Sequence, residues 1–174
     1  MQQRLSYAST GVDIDQTDDA KRKMARSMET TDPRVLNQIG AFATLLDARF
    51  PGYAHPVLVH KSEEPGSKQK LAFAHGRHRS VCYDMVNHLI DDIIVMGAAP
   101  ISIQDVIVCG SMDGDLVNDL VDAMADACRQ QDCVLTGGET SVQPGVIPDG
   151  LYVLTASVLG VVDKERIIDG SAIQ

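Results

Sequence analysis

The chain contains no stretch of about 18 consecutive apolar residues, so its sequence offers no helix able to cross a membrane. Its opening residues, MQQRLSYAST, lack the apolar centre of a secretory signal. A cytoplasmic location is the expectation. Basic residues are in deficit, with 15 Lys and Arg against 24 Asp and Glu and a formal net charge of -9. That sign repels phosphodiester backbones and anionic headgroups, which argues against a generic nucleic-acid or membrane binder. The four cysteines, Cys82, Cys109, Cys128 and Cys133, nowhere take the C-x-x-C spacing of zinc or thiol-redox sites, and buried free thiols are expected. Internal repeats, low-complexity tracts and the G-x-x-x-x-G-K-[ST] pattern of a P-loop are also missing.

What is present suits one compact unit, because 174 residues at 44% hydrophobic content suffice for one buried core and not for two full-sized domains. Acidic residues precede basic ones between Asp15 and Arg26, an order that complements a helix dipole, and the expected helix covers residues 17–28. Pro51-Gly52 turns the chain into a strand at 56–60, and the polar segment 60–70, with Pro65-Gly66, reads as a loop. Apolar residues at Met85, Leu89, Ile93 and Met96 mark one face of a helix over about 80–96. Leu116, Leu120, Met124 and Cys128 do the same for a second, capped by Asp113 or Asp115. Strands are expected near 101–108, at 133–136 and over 151–162. Alternating helices and strands indicate an α/β or α+β fold, a mixed sheet flanked by helices.

Three segments could carry chemistry. On the helix near residue 84, Asp84, His88, Asp91 and Asp92 share one polar stripe. Carboxylates so placed can hold Mg²⁺, although a solvated face has the same spacing. At Gly137-Gly138-Glu139-Thr140 a strand runs into paired glycines, which let backbone amides approach a phosphate but also make ordinary turns. Gly66, Ser67, Lys68 and Lys70 offer amides, a hydroxyl and two cations to an anion. A charged surface loop has the same composition.

Taken in order, these segments resemble the aminoimidazole ribonucleotide synthetase (phosphoribosylformylglycinamidine cyclo-ligase) family over almost the whole chain. Residues 6–15, SYASTGVDID, are similar to its S-Y-x-x-[AS]-G-V-D-I-D start. Asp84 with DIIVMGA at 92–98 resembles its G-I-D-L-V-A-M-x-V-N-D-[IL]-[IV]-V-x-G-A helix. GGET at 137–140 with Pro144-Gly145 is similar to G-G-E-T-A-E-M-P-G, and GVVDK at 160–164 with IIDGS at 167–171 matches the close of its first domain.

The resemblance implies an N-terminal arm at 1–16 and an ATP-site domain at 17–174, with a C-terminal domain absent from this chain. It also implies a homodimer whose sheets complete a shared barrel. The implied reaction is ATP-dependent ring closure of formylglycinamidine ribonucleotide, with ATP and Mg²⁺ bound and the ribonucleotide as the other small-molecule partner. Lys68 and Glu63 take catalytic positions on that template. Gly66, Ser67, Lys68, Asp105, Gly137, Gly138, Glu139 and Thr140 line the nucleotide, and Asp84, Glu63 and Asp91 face the metal. A related kinase using the same fold, and a dimerisation or regulatory module, are the alternative readings.

The departures cluster in the loops. Where the family has G-T-D-G-V-G-T-K, this chain has KSEEPGSK at 61–68. Glu64 adds a negative charge beside the expected polyphosphate, and two unit charges about 4 Å apart repel by roughly 4 kcal/mol at an effective dielectric of 20. Pro65 removes an N–H. Elsewhere Asp91 replaces asparagine, Asn87-His88 replaces A-M, Val142 replaces glutamate, Ala25 replaces lysine, and 37–40 replaces a glycine-rich segment.

Overall fold

The computed structural model describes residues 14–171 and 173, so the opening motif falls outside the described residues as far as residue 13. Helices form at α1 (Ile14–Ser27), α2 (Lys68–Ala74), α3 (His78–Ile94) and α4 (Gly114–Gln130). Strands form at β1 (Pro56–Glu63), β2 (Ala99–Cys109), β3 (Val134–Val142) and β4 (Tyr152–Asp163). The strands make one sheet in the order β1-β4-β2-β3. β4 runs antiparallel to β1 and to β2, whereas β2 and β3 are parallel. A parallel pair needs a crossover, and α4 supplies it.

The core lies between the sheet and α3 with α4. α3 buries Met85, Leu89 and Ile93, and α4 buries Val117, Leu120, Val121, Met124 and Cys128 at the spacings of an amphipathic helix. Met96, expected on the α3 face, falls past the helix end and is partly exposed. Asp113 caps α4, its carboxylate accepting from the amides of Asp115 and Leu116 at 3.0 and 3.1 Å. Outside the core Arg79 clamps the two helices, pairing with Asp119, Asp122 and Asp126 at 3.1, 2.9 and 2.6 Å. Along β4, Tyr152, Leu154, Ala156 and Val158 point into the core, while Val153, Thr155, Ser157 and Leu159 alternate onto the opposite face and are half-buried.

Two expectations need correction. The segment 60–70 is not a loop throughout, because Lys61, Ser62 and Glu63 continue β1 by pairing with Val158, Ser157 and Ala156 of β4. α2 then starts at Lys68, anchored by Phe73, whose ring stacks on Tyr152 with centroids 5.6 Å apart. Only 64–67 remains irregular. The glycine pair, in turn, does not follow a short strand but lies inside β3, which extends to Val142.

Candidate functional site

Strand register places four residues in one transverse row. Glu63 of β1 is opposite Ala156 of β4, Ala156 is opposite Asp105 of β2, and Asp105 is opposite Gly138 of β3. A register shift between Ile103 and Gln104 sets the β2–β3 part of that alignment. Residues level with one another share a face, here the helix-covered one, and neighbouring strands lie about 4.8 Å apart. Glu63 and Asp105 therefore stand roughly 10 Å apart, two strand spacings, with only a methyl group between them. Two carboxylates thus share a shelf floored by small residues.

At the β1 end, α3 completes the group. Glu63, His88 and Asp92 each offer a ligand atom, all within 4.8 Å of one another. The Lys61 ammonium already bridges two of them, at 2.9 Å from Glu63 and 3.0 Å from Asp92. That ammonium, followed by the Glu64 amide, holds the Glu63 carboxyl below its ordinary range, and the two carboxylates raise Lys61 in return. One turn earlier on α3, Asp84 pairs with Lys68 at 2.6 Å. Both residues are about half exposed, so the pair contributes little to stability.

The middle of the row behaves differently. Asp105 is only 4% exposed. Burial pushes its carboxyl up to about 7, partly offset by a hydrogen bond with its own backbone. Gly138 makes the room: a Cβ there would stand 2.3 Å from both the Asp105 carbonyl and its carboxylate. Gly137 has φ at 145°, where side chains are rarely accommodated. Each glycine thus has a local duty besides exposing its amide.

On the opposite, uncovered face of the same strands lies an open cavity of about 460 Å³. Asp105, Gly137, Gly138 and Glu139 border it, together with Ser62, Ser157 and Gln104. The segment 37–44 forms its outer wall. Asn37 braces that segment, accepting from the Leu45 amide at 2.7 Å and donating to the Ala43 carbonyl at 2.8 Å. Thr44 ties it to β3 by donating to the Thr136 carbonyl at 2.9 Å. Thr140 borders a second cavity, of about 550 Å³, which Asp105, Gly138 and Glu139 also line.

The structure therefore draws the residues anticipated from sequence into two linked groups. Glu63, Lys68 and Asp84 gather at the β1–α3 edge, and Asp105, Gly137, Gly138, Glu139 and Thr140 gather toward β3. Asp91 does not join the first group. It is exposed, and Asp92 with His88 stands beside Glu63 in its stead. In the 64–67 loop, the Gly66 amide donates to the Glu64 carboxylate, so that amide is engaged within the loop. Gly66 has φ at 69°, Pro65 is buried, and the Ser67 hydroxyl makes no capping bond. Sequence reasoning missed Lys61, whose only signal was a charged residue on the strand face shared with Glu63.

The fold is that of a known class. A solved thiamine-monophosphate kinase from Stenotrophomonas maltophilia superposes with a TM-score of 0.64 over 84% of this chain and 42% of its own, at 22% identity. A hydrogenase maturation protein HypE in complex with ATP superposes at 0.55 over 83% and 39%, at 18% identity. These likenesses establish the architecture. The profile of the family described as AIR synthase related protein, N-terminal domain, matches residues 58–162, and the chain belongs to that family. It is 38% identical over 173 residues to a phosphoribosylformylglycinamidine cyclo-ligase of Carboxydothermus hydrogenoformans, covering 99% of this chain and 50% of that protein. A protein of the same name from Paraburkholderia phymatum is 41% identical over 174 residues, covering 98% and 48%. The chain spans about half the length of the curated relatives it matches.

Proposed function

We propose that the chain forms the ATP-site half of a phosphoribosylformylglycinamidine cyclo-ligase of purine biosynthesis, closing formylglycinamidine ribonucleotide to aminoimidazole ribonucleotide. The observation that carries this reading is the row Glu63–Ala156–Asp105–Gly138, which sets two carboxylates on a shelf of small residues whose β3 end borders the cavity of about 550 Å³ that Glu139 and Thr140 also line. Ring closure requires the formyl oxygen to become a phosphate leaving group, so the protein's work is positioning and charge neutralisation. Gly137, Gly138, Glu139 and Thr140 line the nucleotide. Gly66, Ser67 and Lys68 face the polyphosphate, with Lys68 balancing its charge.

The donor set fits a divalent cation, because Glu63 and Asp92 offer hard oxygens and already hold the Lys61 ammonium between them. Glu63 and Asp92, with Asp84 earlier on the same helix, would hold Mg²⁺ at this edge, and the ion would supply charge neutralisation for the polyphosphate. The open sheet face, with Leu58, Val106, Val108, Val153 and Leu159, suits packing against a second copy, which gives the homodimer and its shared barrel. The other half of the active protein comes from a domain like the remainder of its relatives. A cytoplasmic setting suits that chemistry, and no helix among the described residues is long and apolar enough to cross a membrane.

One observation favours a neighbouring reading. Lys61, Glu64 and His88 replace small or apolar family residues around the shelf, which suits the same ATP-binding fold serving another substrate. Thermal shift with adenine nucleotides, with and without Mg²⁺, is the first test. A ligand at about 100 times its Kd stabilises the fold by roughly 2.7 kcal/mol. No shift with any nucleotide would leave only a dimerisation or regulatory module. Binding without ring closure in a two-domain protein would point to the changed substrate.

A further inference from the structure

His88 stands where the family motif has methionine, and it brings a nitrogen donor to an edge otherwise built of carboxylates. His88 and Asp92 are four residues apart on α3 and so lie on one face of that helix. The imidazole Nε2 is 4.0 Å from the Asp92 carboxylate. Glu63, at the end of β1, meets them from the sheet, and the three ligand atoms all lie within 4.8 Å of one another. Two ligands held about 2.1 Å from one ion stand no more than about 4.2 Å apart, so the trio has to draw in by roughly 0.6 Å at most. The side chains of His88, Asp92 and Glu63 are 44%, 32% and 25% exposed. Rotation about their own bonds covers that distance.

A cation already occupies part of this place. The Lys61 ammonium lies 2.9 Å from Glu63 and 3.0 Å from Asp92. Its single charge leaves the two carboxylates one short of balance, which a divalent ion supplies. Lys61 is 40% exposed on a flexible four-carbon stem, so it can swing into solvent and make way. The donors then select the ion. Mg²⁺ takes hard oxygens and sheds its water reluctantly, so an imidazole adds nothing to its binding. Imidazole suits Zn²⁺ and its transition-metal neighbours, which bind mixed nitrogen and oxygen sites well.

We propose that Glu63, His88 and Asp92 form a site for a divalent first-row transition ion, Zn²⁺ in preference to Mg²⁺, bound through one imidazole nitrogen and two carboxylate oxygens as Lys61 moves out. His88 is thereby the residue that sets which ion this edge accepts. Three protein ligands leave a tetrahedral shell open at one position. The inference rests on reading the β1–α3 edge as the cation site of the proposed function, but it needs neither nucleotide nor ring closure.

The test titrates the untagged full chain with Co²⁺ in the absence of nucleotide, reads the visible absorption, and then competes with Zn²⁺ and with Mg²⁺. Co²⁺ should give ligand-field bands without the near-ultraviolet charge transfer of thiolate ligands, Zn²⁺ should displace it, and a large excess of Mg²⁺ should not. Losing even a supporting residue around such a site costs about 10–100-fold in affinity, so His88→Ala should weaken Zn²⁺ and Co²⁺ by more than about tenfold. Lys61→Met should tighten both by roughly twofold to fivefold, the worth of one exposed ion pair. Unchanged Zn²⁺ affinity in His88→Ala, displacement of Co²⁺ by equimolar Mg²⁺, or thiolate bands would overturn the proposal. Where His88→Ala fails to fold, nuclear magnetic resonance of the wild type decides: Zn²⁺ should shift the His88 imidazole signals first, and an earlier shift at His55, His60, His75 or His78 would overturn the assignment. Nucleotide stabilisation with Mg²⁺ but no Zn²⁺ binding would sink this inference alone, whereas Zn²⁺ bound through His88 with no nucleotide shift would uphold it and sink the proposed function.

Discussion

Replacing Asp105 by asparagine should change how stability depends on pH more than stability itself. The carboxyl titrates near the usual 3.8 in an unfolded chain and at about 7 in the folded one. Between those values the native state keeps a proton that the unfolded state has lost, so stability falls as pH rises through that window. At about 1.36 kcal/mol per unit, the interval from pH 5 to pH 7 corresponds to roughly 2.7 kcal/mol. For a domain of this size each 1 kcal/mol moves Tm by about 2–4 °C, so the wild type should lose roughly 5–10 °C more than Asp105→Asn between pH 5 and pH 8. Carboxyls held low by partners, such as Asp32 beside Arg34, lose their contribution only as pH falls through the acid range and do not enter this comparison. The assay is thermal unfolding of both proteins across that interval. Parallel Tm curves would refute the claim that Asp105 pays for its burial. A divalent cation beside the row favours the ionised form, so Mg²⁺ with nucleotide should flatten the wild-type slope.

Three further outcomes follow from the same geometry. Leu120→Ala empties a fully buried site and should cost about 2–5 kcal/mol in denaturant unfolding; a smaller loss would mean that the α4 seam collapses to fill it. Glu64→Gly removes a negative charge and frees the Gly66 amide, and should tighten ATP about threefold to tenfold by calorimetry once solvent screening is allowed for. Unchanged affinity would show that the glutamate stands clear of the polyphosphate. Asp84→Asn breaks only a half-exposed pair with Lys68, so Tm should move by less than about 1 °C to 2 °C while Mg²⁺-nucleotide binding weakens; equal binding would remove Asp84 from the site.

The parts legible in the sequence are those whose signal is local. α3 and α4 repeat their apolar residues at helical spacing, and Asp113 sits where a cap belongs, so existence, face and N-terminus can all be read. α2 could not be, because seven residues beginning KQK carry too few turns to show a period, and what fixes it is Phe73 stacking on a tyrosine from the last strand. The glycines of β3 read as a turn because Gly-Gly usually is one. Their place inside a strand follows from Asp105, a residue of another strand that needs the volume a side chain would fill.

The shelf is the extreme case of that contrast. His88 and Asp92 are one turn apart on a single helix, and a stripe finds them. Glu63, Ala156, Asp105 and Gly138 come from four strands and become neighbours only through three pairings, two of which carry a register shift. Moving any of those pairings by one residue would turn the acid on that strand to the opposite face. A residue such as Ala156, which nothing in its own segment distinguishes, is therefore as much a determinant of the site as the carboxylates it separates. A larger side chain there would fill the gap between Glu63 and Asp105 without touching either charge. Because Ala156 is only 3% exposed and belongs to the core under the helices, Ala156→Leu should cost about 1–3 kcal/mol in denaturant unfolding by overpacking that seam, and unchanged stability would show that the row has slack where the pairings place it tight.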